Sequence, residues 1–271
     1  NMGKTQRSTK VKVSHEVPLQ LLEESKQFND YDYCLPHLLD QYKAYKDYFY
    51  QAKKEGRYII MDNSLHELGE AYDTSRLLYW ISELEPNEFI VPDVWENGHY
   101  SVRNAKTWST VEMPNNTTKV AVVQGKSYSD FVNGYQSYKW FGYQKIAFSY
   151  GASWFEECFK HPNSYVAKMM GRLKTITNLY KSGLISDTDR VHLLGCNLPQ
   201  EYLYYKDFKF IESIDTSNPV IHGLEGIRYS EGGLLQKSKQ KIDKDFTQKV
   251  TQKQKENILY NIEMFRKINN L

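Results

Sequence analysis

Four apolar runs in this chain stop abruptly at polar side chains that together could carry one reaction. Tyr58-Ile59-Ile60-Met61 is followed by Asp62-Asn63-Ser64, and Phe89-Ile90-Val91-Pro92 by Asp93. Val120-Ala121-Val122-Val123 is followed by Gln124-Gly125, and Phe210-Ile211-Glu212-Ser213-Ile214 by Asp215-Thr216-Ser217. Positions 62, 93 and 124 recur every 31 residues, about the length of one strand-and-crossover unit. An aspartate after a strand is commonly only a helix cap or turn former. Three carboxylates and a carboxamide at equivalent ends are harder to explain that way, because crowding them at one mouth adds like-charge repulsion that folding does not require. Such a set can divide labour: one carboxylate attacks an anomeric carbon while another handles protons. A further carboxylate and a Gln can read the donor and acceptor edges of a flat heterocycle. Gly125 would let a ligand approach the backbone.

Side chains of this kind must be held by strands. Short β-type runs separated by helical stretches recur through the chain, the pattern of parallel strands with helical crossovers. Eight strands are expected: Val11–His15, Tyr31–Leu35, Tyr58–Met61, Phe89–Pro92, Lys119–Val123, Lys145–Ser149, Val191–Leu194 and Phe210–Ile214. The first two carry the weakest pattern, and Val11–His15 also reads as an edge or capping strand. Helices are expected over Asp73–Leu84, over Ser127–Trp140 behind a Ser cap, over Trp154–Lys181 up to Gly183, and over Thr251–Ile268. The expected fold is an α/β architecture, a (β/α)8 TIM barrel forming one domain over 1–271. Its core spans about 11–222, and a Lys-rich segment and closing helix occupy 234–271. In such barrels reactive groups stand at the C-terminal strand ends, so residues 62, 93, 124 and 215 would face one crevice.

A formal charge of +2 argues neither for nor against nucleic acid; a local basic face would be needed, and Lys237, Lys239, Lys241 and Lys244 are the one tract that offers it. Such a tract is most often just a solvated loop and helix face. Cys34, Cys158 and Cys196 are far apart, so neither a disulfide framework nor a cysteine-rich zinc site is indicated. No apolar run approaches the roughly 18 residues that span a bilayer, and no signal-type apolar segment opens the chain, so a cytoplasmic protein without membrane contact is expected.

Taken together, these motifs resemble the queuine and archaeosine tRNA-guanine transglycosylase superfamily. Ile60–Ser64 resembles the family's strand that ends in an aspartate followed by small residues. Pro92-Asp93 resembles its base-recognition aspartate, Val123-Gln124-Gly125 its Gln-Gly turn, and Lys145–Gly151 its glycine-ended strand. His192–Gly195 followed by Pro199 is similar to the family's penultimate strand, and Ser213–Ser217 to the strand that delivers its nucleophile. The order holds over roughly residues 58–220. The resemblance implies that Asp215 attacks C1′ of a target guanosine nucleotide, that Asp62 is the general acid/base, and that Asp93, Gln124 and Gly125 hold the base between walls formed by Gly151, Leu194 and Gly195. Nucleic-acid contacts would come, by position, from Asn63, Ser64, Trp95, Tyr150, Trp154, Arg228, Lys237 and Lys239, around a nucleotide drawn out of its stack.

The tRNA enzymes of that family carry a zinc site of clustered Cys and His after the nucleophile strand. Here no Cys follows Cys196 and only about 50 residues follow Asp215. The expectation is therefore no zinc site and no cofactor, and a likeness to the compact phage or genomic-island relatives that place 7-deazaguanine in DNA rather than tRNA. His192 and His222 read as core or rim histidines rather than ligands. The partners implied are nucleic acid and a 7-deazaguanine base, with a homodimer also compatible. Two alternatives share these residues: an N-glycosidase that releases the base to water, and a barrel that binds nucleic acid without catalysis.

Overall fold

A computed structural model describes residues 10–271. Its strands are β1 (Lys12–Ser14), β2 (Asp32–Cys34), β3 (Ile59–Met61), β4 (Glu88–Ile90), β5 (Thr118–Val123), β6 (Lys145–Phe148), β7 (Val191–Leu194) and β8 (Ile211–Asp215). All neighbours pair in parallel in the order β1-β8-β7-β6-β5-β4-β3-β2. This is a (β/α)8 barrel closed except for its β1/β2 seam. At that seam side chains take over from the ladder: the Asn29 carboxamide accepts from the His15 N–H at 2.7 Å and donates to the His15 carbonyl at 2.9 Å. Beside it the Asp30 N–H donates to the Val13 carbonyl at 2.9 Å, and the Val13 N–H donates to the Asp30 carboxylate at 2.8 Å. Backbone groups of β1 that would otherwise be buried unpaired are thereby satisfied.

The helices are α1 (Leu22–Ser25), α2 (Pro36–Gln41), α3 (Lys43–Lys54), α4 (Leu65–Leu68), α5 (Thr74–Leu84), α6 (Gly98–Ser109), α7 (Tyr128–Trp140), α8 (Ser153–Cys158), α9 (Ser164–Lys181), α10 (Asn218–Leu224) and α11 (Gln252–Asn269). Asp73 and Ser127 cap α5 and α7 as their sequence positions predict, each accepting a backbone N–H three residues on. Thr251 and Gln254 form a reciprocal capping box on α11. The helix expected over Trp154–Lys181 is two helices: His161-Pro162 interrupts it, Phe159 is extended, and Asn163 caps α9 anew. Between β7 and β8 the crossover holds a single 3-10 turn, Glu201–Tyr205, in place of a full helix.

The barrel interior is packed with Val, Ile, Leu, Phe and Tyr, with one charged layer beneath them. Lys145 and Glu88, the first residues of β6 and β4, pair at 2.8 Å while almost wholly buried, and Lys145 also donates to Ser213 Oγ at 2.8 Å. Register then levels the opposite ends of the strands. Asp215 pairs across with Ser14 and Leu194, and Met61 with Cys34, so the residues that follow emerge on one rim.

Candidate functional site

That rim surrounds a cavity of about 640 Å³, to which every strand end contributes: Glu16 after β1, Tyr33 in β2, Asp62 after β3, Asp93 after β4, Gln124 after β5, Ser149 after β6, Leu194 in β7 and Asp215 in β8. The four side chains that the sequence singled out for chemistry thus share one chamber. Asp62, Asp93 and Asp215 are each less than one-tenth exposed, and Gln124 is buried.

Asp93 is held by two side-chain amides. Its Oδ1 accepts from Asn63 Nδ2 at 2.7 Å and its Oδ2 from Gln124 Nε2 at 2.9 Å, while Gln124 Oε1 accepts the Glu96 N–H at 3.1 Å. Asn63 is itself fixed, donating to the Val91 carbonyl and accepting the Leu65 N–H. Burial raises the Asp93 carboxyl to about 6 despite the hydrogen bonds from Gln124 and Asn63. Burial also raises Asp62, to about 7, helped by the charges of Asp93 and Asp215 and opposed by the Asn63 backbone N–H and the Tyr33 hydroxyl. A carboxyl held there exchanges protons near neutrality, as general acid/base work requires.

Asp215 is held by its neighbour on the next strand. Its Oδ1 is 2.7 Å from His192 Nε2, and His192 Nδ1 is 2.7 Å from Ser213 Oγ, which joins the carboxylate to the buried Lys145. Tyr33 stacks parallel to His192, with ring centres 6.4 Å apart.

The walls are built from loops that one side chain anchors. Arg172 of α9, fully buried and ion-paired to Glu201, donates to the carbonyls of Leu194 at 2.7 Å, Gly195 at 2.9 Å and Ser149 at 3.2 Å. Gly195, at φ 58°, leaves room for the Tyr150 ring, whose Cδ1 would lie 2.7 Å from any added Cβ. Gly151, at φ 70°, lines the cavity beside Trp95.

No protein-family model and no curated protein matches the chain.

Of the remaining residues singled out from sequence, Asn63, Gly151, Leu194, Gly195, Trp95, Tyr150, Lys237 and Lys239 line the cavity. Gly125, Ser64, Trp154 and Arg228 are not brought to it. The space beside Gly125 is filled by Asp130, whose Cβ would lie 2.4 Å from a Cβ added there, so this glycine serves the packing of α7 rather than ligand approach. Ser64 is buried in a left-handed turn with its hydroxyl 2.8 Å from His37 Nδ1. Trp154 packs on the core and donates to Thr175, and Arg228 donates to Asn257 while lying over the Tyr260 ring. His222 lines the cavity, hydrogen-bonded to the Asn218 carbonyl.

Four groups at this centre went unseen in the sequence: Glu16, Tyr33, Glu67 and the role of His192. Burial and the charges of Asp215, Asp62 and Asp243 raise Glu16 well above the carboxylate range. Burial and the charges of Glu16 and Asp62 do the same to Glu67. Glu16 follows the strand expected over Val11–His15, whose Lys12, Ser14 and His15 break the apolar pattern that marks the other strand ends. Across the mouth lies the C-terminal strap. Lys241 and Lys244 donate to the carbonyls of His66 and Glu67 at 2.6 and 3.4 Å, and Lys168, Lys237, Lys239 and Lys241 all reach the cavity lining. The result is an acidic floor under a basic rim. Among the described residues no helix is long and apolar enough to cross a membrane, and no group of three or more His, Cys, Asp or Glu side chains is placed to hold a metal ion.

Proposed function

We propose that this barrel is a guanine transglycosylase acting on nucleic acid, in preference DNA, exchanging guanine for a 7-deazaguanine base. The observation that carries the reading is the convergence of Asp62, Asp93, Gln124 and Asp215, from four strand ends, on one cavity. Asp215, with Oδ1 taken by His192, attacks C1′ through Oδ2. The glycosidic bond breaks as the C1′–O bond forms, and the departing guanine takes its proton from Asp62. The incoming 7-deazaguanine then gives its N9 proton to Asp62 and attacks C1′, releasing the Asp215 carboxylate. The Asp93 carboxylate accepts from base N–H groups, and the Gln124 amide, with both a donor and an acceptor, meets the adjoining edge. Burial of these groups strengthens each such contact and excludes competing water.

The test is mass spectrometry of nucleosides from DNA and from tRNA incubated with the protein and labelled 7-deazaguanine bases. Label in the polymer is expected, and in DNA above tRNA. Abasic sites with free guanine and no label would indicate hydrolysis instead. Asp215→Ala is expected to abolish covalent trapping of nucleic acid, and trapping that survives it removes Asp215 from the nucleophile's place.

A further inference from the structure

The wall of the cavity after β7 and β8 carries a buried amide donor without an acceptor and an ammonium without a carboxylate partner among the described residues. Asn218 is 4% exposed and its Oδ1 accepts from the Tyr229 hydroxyl, while its Nδ2 has no partner among the described residues. Lys237 is partly buried, and its ammonium donates to the Cys196 carbonyl at 2.5 Å and lies 3.9 Å from the Tyr150 ring centre. No carboxylate pairs with it among the described residues, and the nearby Glu201 is already matched by Arg172. A chain of contacts ties the two donors to one wall: the Asn218 N–H donates to Thr216 Oγ1 at 3.1 Å, Thr216 Oγ1 is 3.2 Å from Cys196 Sγ, and Cys196 accepts from Lys237. Ser217 lines the same stretch. Burying donors without acceptors is unfavourable unless a ligand completes them.

The ligand that completes them must be an anion rich in acceptor oxygens. In α/β barrels the loops after the seventh and eighth strands are a recurrent seat for phosphate. We propose that this wall is a phosphate subsite in which the Lys237 ammonium, the Asn218 amide and the Ser217 hydroxyl hold a phosphate of the nucleotide whose base enters the cavity. Assigning that phosphate to a nucleotide substrate rests on the reading above; the donors themselves do not. The subsite selects a nucleotide over a free nucleoside, and it fixes the sugar against Asp215, which ends β8 just before Ser217 and Asn218. Burial draws the Lys237 ammonium below its ordinary pKa, the expected state of a cation whose counter-ion arrives with the ligand.

The experiment measures binding, not exchange. Full-length protein is titrated with deoxyguanosine, deoxyguanosine 5′-monophosphate and a single-stranded oligonucleotide bearing one guanine. The oligonucleotide is prepared with natural linkages or with one neutral methylphosphonate on the 5′ or 3′ side of that guanine. The nucleotide is expected to bind about tenfold or more tightly than the nucleoside, as a charge-assisted hydrogen bond provides. Lys237→Gln should erase that preference, bringing nucleotide affinity down to that of the nucleoside in the same variant. Asn218→Asp keeps the acceptor for Tyr229 and replaces the free donor with a carboxylate, so it should erase the preference even if Lys237→Gln fails to fold. The methylphosphonate that no longer responds to Lys237→Gln identifies the linkage held, whereas a response confined to the monophosphate points to a free nucleotide. Equal affinity for nucleoside and nucleotide, or variants that weaken both alike, overturns the subsite. Phosphate preference without label incorporation would leave the subsite standing and remove the exchange chemistry; incorporation without phosphate preference would do the reverse.

Discussion

At the residue scale, a cluster of buried carboxyls is held in a state the chain would not choose when unfolded. Asp62 titrates near 7 in the fold because burial and the charges of Asp93 and Asp215 disfavour its ionised form, against an ordinary value of 3.8. Between about pH 4 and pH 7 the folded protein therefore holds a proton that the unfolded chain has released, and stability must fall as pH rises through that window. Asp62→Asn removes this penalty. The variant should be more stable than the parent at pH 8, by up to about 4 kcal/mol for a shift of this size, with the advantage vanishing near pH 4, where both forms are neutral. Thermal unfolding at the two pH values measures it, and a variant no more stable at pH 8 would mean that Asp62 carries no uncompensated charge. His192 makes the opposite kind of contribution, since its 2.7 Å contact fixes Asp215 Oδ1 while the ring itself does not line the cavity. His192→Phe is expected to slow adduct formation by roughly 10- to 100-fold with nucleic-acid affinity unchanged, and His192→Gln to recover part of the rate. Equal rates in all three proteins would end its claim as a positioning residue.

At the scale of elements, Arg172 does for the walls what His192 does for Asp215. Its guanidinium spans the loops after β6 and β7, and its partner Glu201 is fully buried. Arg172→Leu would strand that carboxylate, at a cost of about 3 to 5 kcal/mol. Denaturant unfolding measures the loss; in the double variant with Glu201→Leu much of it should return, and a single variant of parental stability would show that the pair is not structural. Such scaffolding explains what was legible in the chain. Strands buried on both faces write themselves as apolar runs such as Val120–Val123, and a polar residue ending a run marks the rim, so Asp62, Asp93, Gln124 and Asp215 could be read directly. The β1/β2 seam could not, because its closure depends on the Asn29 carboxamide rather than a strand pattern; doubt about β1 then hid Glu16. Glu67 lies on α4, outside the strand-end rule, and His192 points inward for reasons only the register supplies. Gly125 carries no mark in sequence of the Asp130 side chain that fills its space.

At the scale of the molecule, a net charge of +2 conceals a vertical separation of charge, with carboxyls on the cavity floor and Lys168, Lys237, Lys239 and Lys241 at its rim. Such a rim attracts polyanions. The chamber of about 640 Å³ lies within the range of small-molecule sites. It has room for a molecule the size of a single nucleotide and none for a duplex. Lys239 is exposed, lines the mouth and makes no hydrogen bond or ion pair among the described residues, so its charge is open to a polyanion at the rim. Neutralising one phosphate contact lowers the slope of log affinity against log salt by about 0.7 for single strands and about 0.9 for duplex DNA. Lys239→Ala should therefore weaken binding evenly across sequences and flatten the salt dependence by that amount, leaving the adduct rate at saturating nucleic acid as in the parent. Binding isotherms from low to moderate salt decide the matter. An unchanged slope would place the backbone path elsewhere on the surface, and a loss confined to particular sequences would make Lys239 a reader of bases rather than of phosphates.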